Sequence, residues 1–181
     1  MLVVAATRAE AAHVPAGIEV VVTGLGKTAA AVATVRALAG RDLSGLTVVN
    51  LGTAGALREG LAGLHEVGVV VNHDMNAEAV RALGYDPRER LTVGTSDVVL
   101  ASGDVFVTDA AVRDRLAREA HLVDMEGYGV AYACQSLGVP VRLVKHVSDN
   151  ADEGALDWPS LVDRSARELG AWVARTLPRQ L

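Results

Sequence analysis

Apolar residues in this chain fall into short β-like runs, separated by stretches that carry apolar side chains at helical spacing. The runs cover residues 2–6, 18–23, 47–51, 67–72, 97–101, 122–125 and 139–147, each about as long as a buried strand. Helices are predicted over 27–39, closed by Gly40, and over 109–120, 127–137 and 160–177. Strand and helix alternate. Runs such as Ile18-Glu19-Val20-Val21-Val22 and Thr47-Val48-Val49-Asn50-Leu51 are apolar on both faces, so the pattern predicts an α/β fold with a mostly parallel sheet covered by helices. Residues 76–96, with Gly84, Pro87 and mixed charge, read as a surface loop or lid.

Composition narrows the function classes. With 181 residues, 50% hydrophobic and 22% charged, one globular domain spanning 1–181 is expected. The single cysteine, Cys134, can form neither an internal disulfide nor a thiolate metal cluster, which points to a reducing compartment, the cytoplasm. Seventeen basic against 22 acidic residues give a net charge of −5 without a basic run, which disfavours nucleic acid and anionic membranes as partners. The N-terminal residues lack the basic region of a secretory leader, and no apolar stretch approaches the ~20 residues that span a bilayer. A small-molecule enzyme or binding domain is the class that remains.

In open α/β sheets ligands collect beyond the carboxyl ends of strands, and chemistry-bearing groups gather there. Thr23-Gly24-Leu25-Gly26-Lys27-Thr28 follows a strand and opens a helix, but the glycine a phosphate loop needs five residues earlier is Val21. Asn50-Leu51-Gly52-Thr53-Ala54-Gly55 reads as a second glycine-bearing turn, able to hold an anion or only to turn the chain. Asp124-Met125-Glu126-Gly127 sets two carboxylates at a strand-to-helix junction, where Glu126 is equally a favourable acid at a helix N-terminus. Ser148-Asp149 follows the last apolar run and either residue serves equally as a helix cap. Glu10, among alanines, is also readable as a solvated helix residue. The five histidines show no zinc spacing, so no metal or other cofactor is expected, and no Gly-x-Ser-x-Gly elbow is present.

Taken in order, Thr23–Lys27, Asn50–Gly55, His73-Asp74, Ala82-Leu83-Gly84-Tyr85, Ser102-Gly103-Asp104-Val105-Phe106-Val107, Asp124–Gly127 and Val147–Asp152 resemble the purine nucleoside phosphorylase and nucleosidase superfamily. The resemblance is closest to the methylthioadenosine/S-adenosylhomocysteine nucleosidases. It implies a three-layer α/β/α fold with a mostly parallel, mixed central sheet, and hydrolysis of an N-glycosidic bond through an oxocarbenium-like state. On this resemblance Asp149 is the acid that protonates N7 of the departing purine, with Ser148 positioning it. To do so Asp149 must hold a proton near neutral pH. Glu10 is the base that activates water on the other side of the sugar, as in other glycoside hydrolases. Glu126 accepts the ribose hydroxyls, Met125 packs beneath the sugar, and Thr53 and Gly55 belong to the substrate-binding turn. Phe106 stacks on the purine and the Val107 main chain reads the base edge. Phe106 is equally readable as a core residue, since aromatics are packing groups first.

The superfamily divides by nucleophile. Phosphorolytic members resemble one another in an arginine where this chain has Asn50, and the nearest candidate for their second phosphate arginine, Arg8, matches an acidic position of the nucleosidases. A phosphate dianion here would lack its bidentate guanidinium contacts, so water is favoured. The chain is shorter than the familiar nucleosidases. It has no room for a hairpin between Glu10 and Ile18, and 76–96 lacks the helix that precedes the Ser-Gly-Asp motif. Leu83 and Tyr85 match the lining of the 5′-substituent pocket. Methylthioadenosine, S-adenosylhomocysteine, futalosine and plain purine nucleosides all satisfy the base and ribose motifs. The competing readings are a phosphate-dependent phosphorylase, a futalosine hydrolase, a non-catalytic nucleoside-binding module, and an α/β interaction domain without a ligand. Family analogy implies a homo-oligomer, most simply a homodimer.

Overall fold

A computed structural model describes residues 1–176. Leu177, the last residue of the fourth expected helix, and the end of the expected 1–181 domain lie outside the described residues. Nine strands form one sheet: β1 (Leu2–Ala5), β2 (Glu19–Val22), β3 (Val48–Ala56), β4 (Leu64–Glu66), β5 (Val69–Asn72), β6 (Arg90–Thr92), β7 (Val99–Ser102), β8 (Leu122–Asp124) and β9 (Val141–Asp149). The path runs β2-β1-β3-β8-β7-β5-β6, with β9 on β3 and β4 on β9. Pairings β1·β2, β1·β3, β3·β9, β5·β7 and β7·β8 are parallel, whereas β3·β8, β4·β9 and β5·β6 are antiparallel. The sheet is mixed and mostly parallel, as expected.

Strand alternation sends neighbouring residues to opposite faces, and both faces are covered. Val4, Val48 and Leu143 face α1 (Lys27–Leu38) and α4 (Gly127–Ser136), in one cluster with Ala30, Leu38, Val130 and Cys134. Val3, Val49 and Val144 face α5 (Trp158–Thr176) through Leu169, Trp172 and Val173. Farther along the sheet, α3 (Ala110–Leu116) puts Leu116 against Ala101 and Val123. Three layers result, and fully burying each such Val or Leu contributes about 1.5–3 kcal/mol.

Several boundaries differ from the sequence pattern. The segment expected as a turn at Asn50–Gly55 lies inside β3, which continues to Ala56 beside β9, with a register shift at Ala54/Gly55. Strand β2 is an edge strand with Val22 exposed rather than a strand buried on both faces. The excursion at 76–96 carries a short helix, α2 (Ala77–Ala82), and β6. Asn76 caps α2 by accepting from the Ala79 N–H at 3.1 Å.

Glycines in β3 and α4 leave room for close neighbours. A Cβ on Gly129 would stand 2.2 Å from the Lys27 carbonyl oxygen, so its absence lets α4 press against the start of α1. That contact brings the Gly26-Lys27 turn up to the junction between β8 and α4.

Candidate active site

A pocket of ≈ 490 Å³ opens where β1, β8 and β9 end and β3 passes, within the size range of small-molecule sites. All nine residues singled out from the sequence line it: Glu10, Thr53, Gly55, Phe106, Val107, Met125, Glu126, Ser148 and Asp149. Leu83 and Tyr85 do not. Both stand exposed on the surface, so within this chain they form no part of the expected 5′ lining.

Glu10 sits in the turn after β1 and is only 4% exposed, which removes the solvated-helix alternative. One carboxylate oxygen, Oε1, accepts from the Thr53 N–H at 2.8 Å and the Thr53 Oγ1 hydroxyl at 2.9 Å. The other, Oε2, accepts from the Thr7 N–H and the Thr7 hydroxyl, both at 3.1 Å. Gly52 makes this possible: a Cβ there would lie 3.0 Å from Lys145 Nζ and 3.3 Å from Glu10 Oε1.

Glu126 follows β8 at the N-cap position of α4, but its side chain makes no cap bond to that helix. Its Oε1 instead accepts from the Gly26 N–H of the neighbouring turn at 2.9 Å. Asp124 satisfies the helix, accepting from the Gly127 N–H at 2.9 Å. Asp124 also pairs with Lys145 at 2.8 Å, both side chains being 1% exposed, while its Oδ1 has no partner among the described residues. Burial, reinforced by the charge of Asp124, pushes the Glu126 carboxyl from its ordinary 4.5 up to about 7. Lys145 and the Gly26 N–H oppose that rise. For Lys145 itself burial disfavours charge, but Asp124, Glu126 and Glu10 outweigh it and raise its pKa.

Asp149 ends β9 and is therefore not a helix cap. Its Oδ1 accepts from the Ala151 N–H at 2.9 Å, and its Oδ2 from the Ser148 hydroxyl at 2.6 Å. A Cβ on Gly55 would approach Asp149 Oδ1 to 3.0 Å, so the glycine clears space for the carboxylate. Phe106, in the loop after β7, is 49% exposed; it is not a core residue in this chain. Val107 beside it is buried, and neither its N–H nor its C=O has a partner among the described residues.

Sequence reasoning missed two residues of the site, Lys145 and Trp158, and the role of the Gly26-Lys27 turn, which it singled out only as a motif. Lys145 lies inside the last apolar run, and a lysine in a strand otherwise buried is the signal that could have exposed it. The Gly26-Lys27 turn ties two walls together: besides Gly26 to Glu126, the Lys27 N–H donates to Asp104 at 2.8 Å, in the loop that carries Phe106. Lys27 Nζ also donates to Asn72 at 2.6 Å and pairs with Asp74. Trp158, at the head of α5, lines the pocket and donates its indole N–H to Thr53 Oγ1 at 2.8 Å. No local pattern announces that contact.

No lysine or arginine is among the lining residues. Asn50 is buried and turned away, donating to the Val4 carbonyl at 3.1 Å, and Arg8 is exposed outside the pocket. Among the described residues no group of three His, Cys, Asp or Glu side chains is placed to hold a metal ion. No described helix is long and apolar enough to cross a membrane.

The model of the phosphorylase superfamily matches residues 16–177. This chain belongs to that superfamily. Glu10 precedes the matched segment of this phosphorylase-superfamily chain. Aminodeoxyfutalosine nucleosidase of Helicobacter pylori is 35% identical over 94 residues, 50% of this chain and 41% of that protein. 5′-Methylthioadenosine/S-adenosylhomocysteine nucleosidase of Shewanella frigidimarina is 28% identical over 184 residues, 81% of this chain and 76% of that protein. The chain spans about half the length of the two Helicobacter pylori relatives, 41% and 52%. Among solved structures, 5′-methylthioadenosine/S-adenosylhomocysteine nucleosidase of Helicobacter pylori, complexed with a substituted pyrrolidin-3-ol, superposes with a TM-score of 0.82 at 25% identity, covering 96% of this chain and 95% of that one. The likeness extends to the Neisseria meningitidis nucleosidase, with a TM-score of 0.81 at 23% identity over 97% and 98% of the chains, which establishes the shared α/β fold.

Proposed function

We propose that this phosphorylase-superfamily chain is a purine nucleosidase, which hydrolyses the N-glycosidic bond of a methylthioadenosine/S-adenosylhomocysteine-type nucleoside to free base and a ribose derivative. The observation that carries the reading is one pocket lined by Glu10, Glu126 and Asp149 and by no lysine or arginine. A water molecule attacks C1′ as the C1′–N9 bond breaks. The bonding pair leaves with the purine, Asp149 gives its proton to N7, and Glu10 takes a proton from the water. Glu126 accepts hydrogen bonds from the ribose hydroxyls and favours the positive charge that develops on the sugar. Phe106 offers its exposed face to the purine, and Val107 its unpaired main chain to the base edge. Buried Asn50 and the cation-free lining support water over phosphate as nucleophile.

The reading extends to a homodimer in the cytoplasm. Its support is a free, buried Cys134 and exposed Leu25, Val105 and Phe106 at the pocket mouth, the kind of apolar surface that a second copy covers.

The test is chromatography of the purified protein with methylthioadenosine, S-adenosylhomocysteine, adenosine, inosine and futalosine, each with and without phosphate. Free base with free sugar, independent of phosphate, is the expected result. Ribose 1-phosphate would overturn the hydrolytic reading, and well-folded protein that releases no base would move the weight to a nucleoside-binding module. An aminodeoxyfutalosine arm beside these separates the two activities for which the Helicobacter pylori and Shewanella frigidimarina relatives are named.

A further inference from the structure

We propose that Trp158 is a positioning residue that couples seating of the segment 153–159 over the pocket to the orientation of the Glu10 carboxylate, through the Thr53 hydroxyl. The proposal rests on the nucleosidase reading.

The direction of the bonds follows from valence. An indole N–H only donates, whereas a hydroxyl carries one proton and two acceptor lone pairs. Trp158 Nε1 lies 2.8 Å from Thr53 Oγ1, so it must occupy a lone pair there. The single Thr53 proton is left for Glu10 Oε1, 2.9 Å away. Thr53 also gives its main-chain N–H to the same oxygen at 2.8 Å. One residue thus holds Oε1 with two donors, and only the hydroxyl can rotate out of position. Trp158 is what fixes that rotor.

The segment carrying the indole has a place in the pocket as well. It leaves β9 at Asp149, passes through a 3₁₀ turn (Glu153–Asp157) seated by buried Ala155, and enters α5 at Trp158. Leu156, Trp158 and Pro159 line the cavity, with Leu156 exposed. Farther along, α5 is anchored in the core by Leu169, Trp172 and Val173. The short stretch between Asp149 and Trp158 therefore links the proposed acid to the residue that holds the proposed base. When it lifts, the indole leaves Thr53 and the hydroxyl is free to turn from Glu10.

Trp158→Phe keeps an aromatic ring and removes the donor. With methylthioadenosine, kcat is expected to fall roughly tenfold, the worth of one such hydrogen bond, with KM changing by less than about threefold. Thr53→Val removes the hydroxyl, and in that background Trp158→Phe is expected to cause no further loss of kcat. Independent, multiplying losses in the double variant would overturn the coupling. A second readout needs no turnover. The chain has two tryptophans, Trp158 and Trp172, so the ¹⁵N-labelled protein shows two indole resonances, and Trp158→Phe identifies one by its loss. In Thr53→Val that resonance is expected to shift and to exchange faster with solvent, while the Trp172 signal stays in place and reports an intact fold. An unmoved Trp158 signal would show that the bond does not exist. A wild-type protein that hydrolyses no nucleoside overturns the nucleosidase reading, and the catalytic part of this proposal with it. An active wild type with multiplying losses overturns the coupling alone.

Discussion

Replacing Glu126 by glutamine isolates the cost of holding a buried carboxylate in the wall of the pocket. In the folded chain its carboxyl rises from 4.5 to about 7, chiefly through burial and next through Asp124. That rise corresponds to about 3 kcal/mol. The unfolded chain titrates this group near 4.5, so its contribution to stability is fully present below that pH, declines as pH rises through the window from 4.5 to about 7, and is lost above it. Glutamine keeps an oxygen for the Gly26 N–H and never ionises. Glu126→Gln is therefore expected to gain about 3 kcal/mol on the wild type between pH 4.5 and pH 8.5, or roughly 6–12 °C in Tm for a chain of this size. Urea unfolding followed by circular dichroism at the two pH values measures it. Titrating groups outside the cluster that Glu126 forms with Asp124, Lys145 and Glu10 are common to both proteins and cancel. A difference between them that stays the same at both pH values, within about 0.5 kcal/mol, would refute the reasoning.

The same substitution separates stability from function. If ionised Glu126 holds the ribose hydroxyls, kcat/KM of the wild type rises with pH to a plateau above about 7, because kcat/KM reports ionisation in the free enzyme. Glu126→Gln is expected to lose that limb and roughly 10- to 100-fold in kcat/KM, the worth of hydrogen bonds to a charged group. A gain in stability with a loss of activity is the signature of a group strained for its function.

Other expectations concern neighbouring groups. Asp149→Asn should lower turnover roughly 10²–10⁴-fold with unchanged thermal unfolding; unchanged turnover would remove Asp149 from the mechanism. Phe106→Ala, at a side chain 49% exposed, should weaken adenine binding in calorimetry by about 1–3 kcal/mol without destabilising the fold, and equal affinity would leave it no stacking role. Lys145→Met strands the buried Asp124 carboxylate and should cost about 3–5 kcal/mol in urea unfolding. Adding Asp124→Asn should recover part of that loss, and a double variant no more stable than the single would disprove the pairing.

The layers were legible because parallel strands covered on both faces leave a signal that does not depend on distant partners, as in residues 47–51 and 139–147. Three-residue strands such as β4 and β6 are too short to register a period, and α2 is six residues held by one Asn76 cap. Asn50–Gly55 read as a turn because glycine is the commonest turn residue. In the fold those glycines are strand residues, whose missing side chains admit Lys145, Glu10 and Asp149. Composition is the same in both cases, and only the approach of β9 decides between them. Eight of the nine pocket-lining residues singled out from the sequence lie in the ordered motifs, Glu10 standing outside them, whereas Trp158 reaches Thr53 across 105 positions, a contact that no local pattern encodes.

The distribution of charge unites these features. Glu10, Asp124 and Glu126 border one cavity beside Asp149, which holds a proton in the proposed reaction, and the buried cation Lys145 is bound to Asp124 in a pair closed to solvent. The lining therefore presents carboxylates uncompensated by any exposed guanidinium or ammonium group. A phosphate dianion entering such a site would lose its hydration and meet like charge, a cost of several kcal/mol without a cationic partner. Neutral water meets no such barrier and finds acceptors ready to orient it. A sugar acquiring positive charge is stabilised by the same field, and more strongly in a cavity that excludes water. In the proposed reaction the residues that reject phosphate as nucleophile and those that lower the barrier for water are thus one set, with Lys145 setting how much negative charge the fold can hold there.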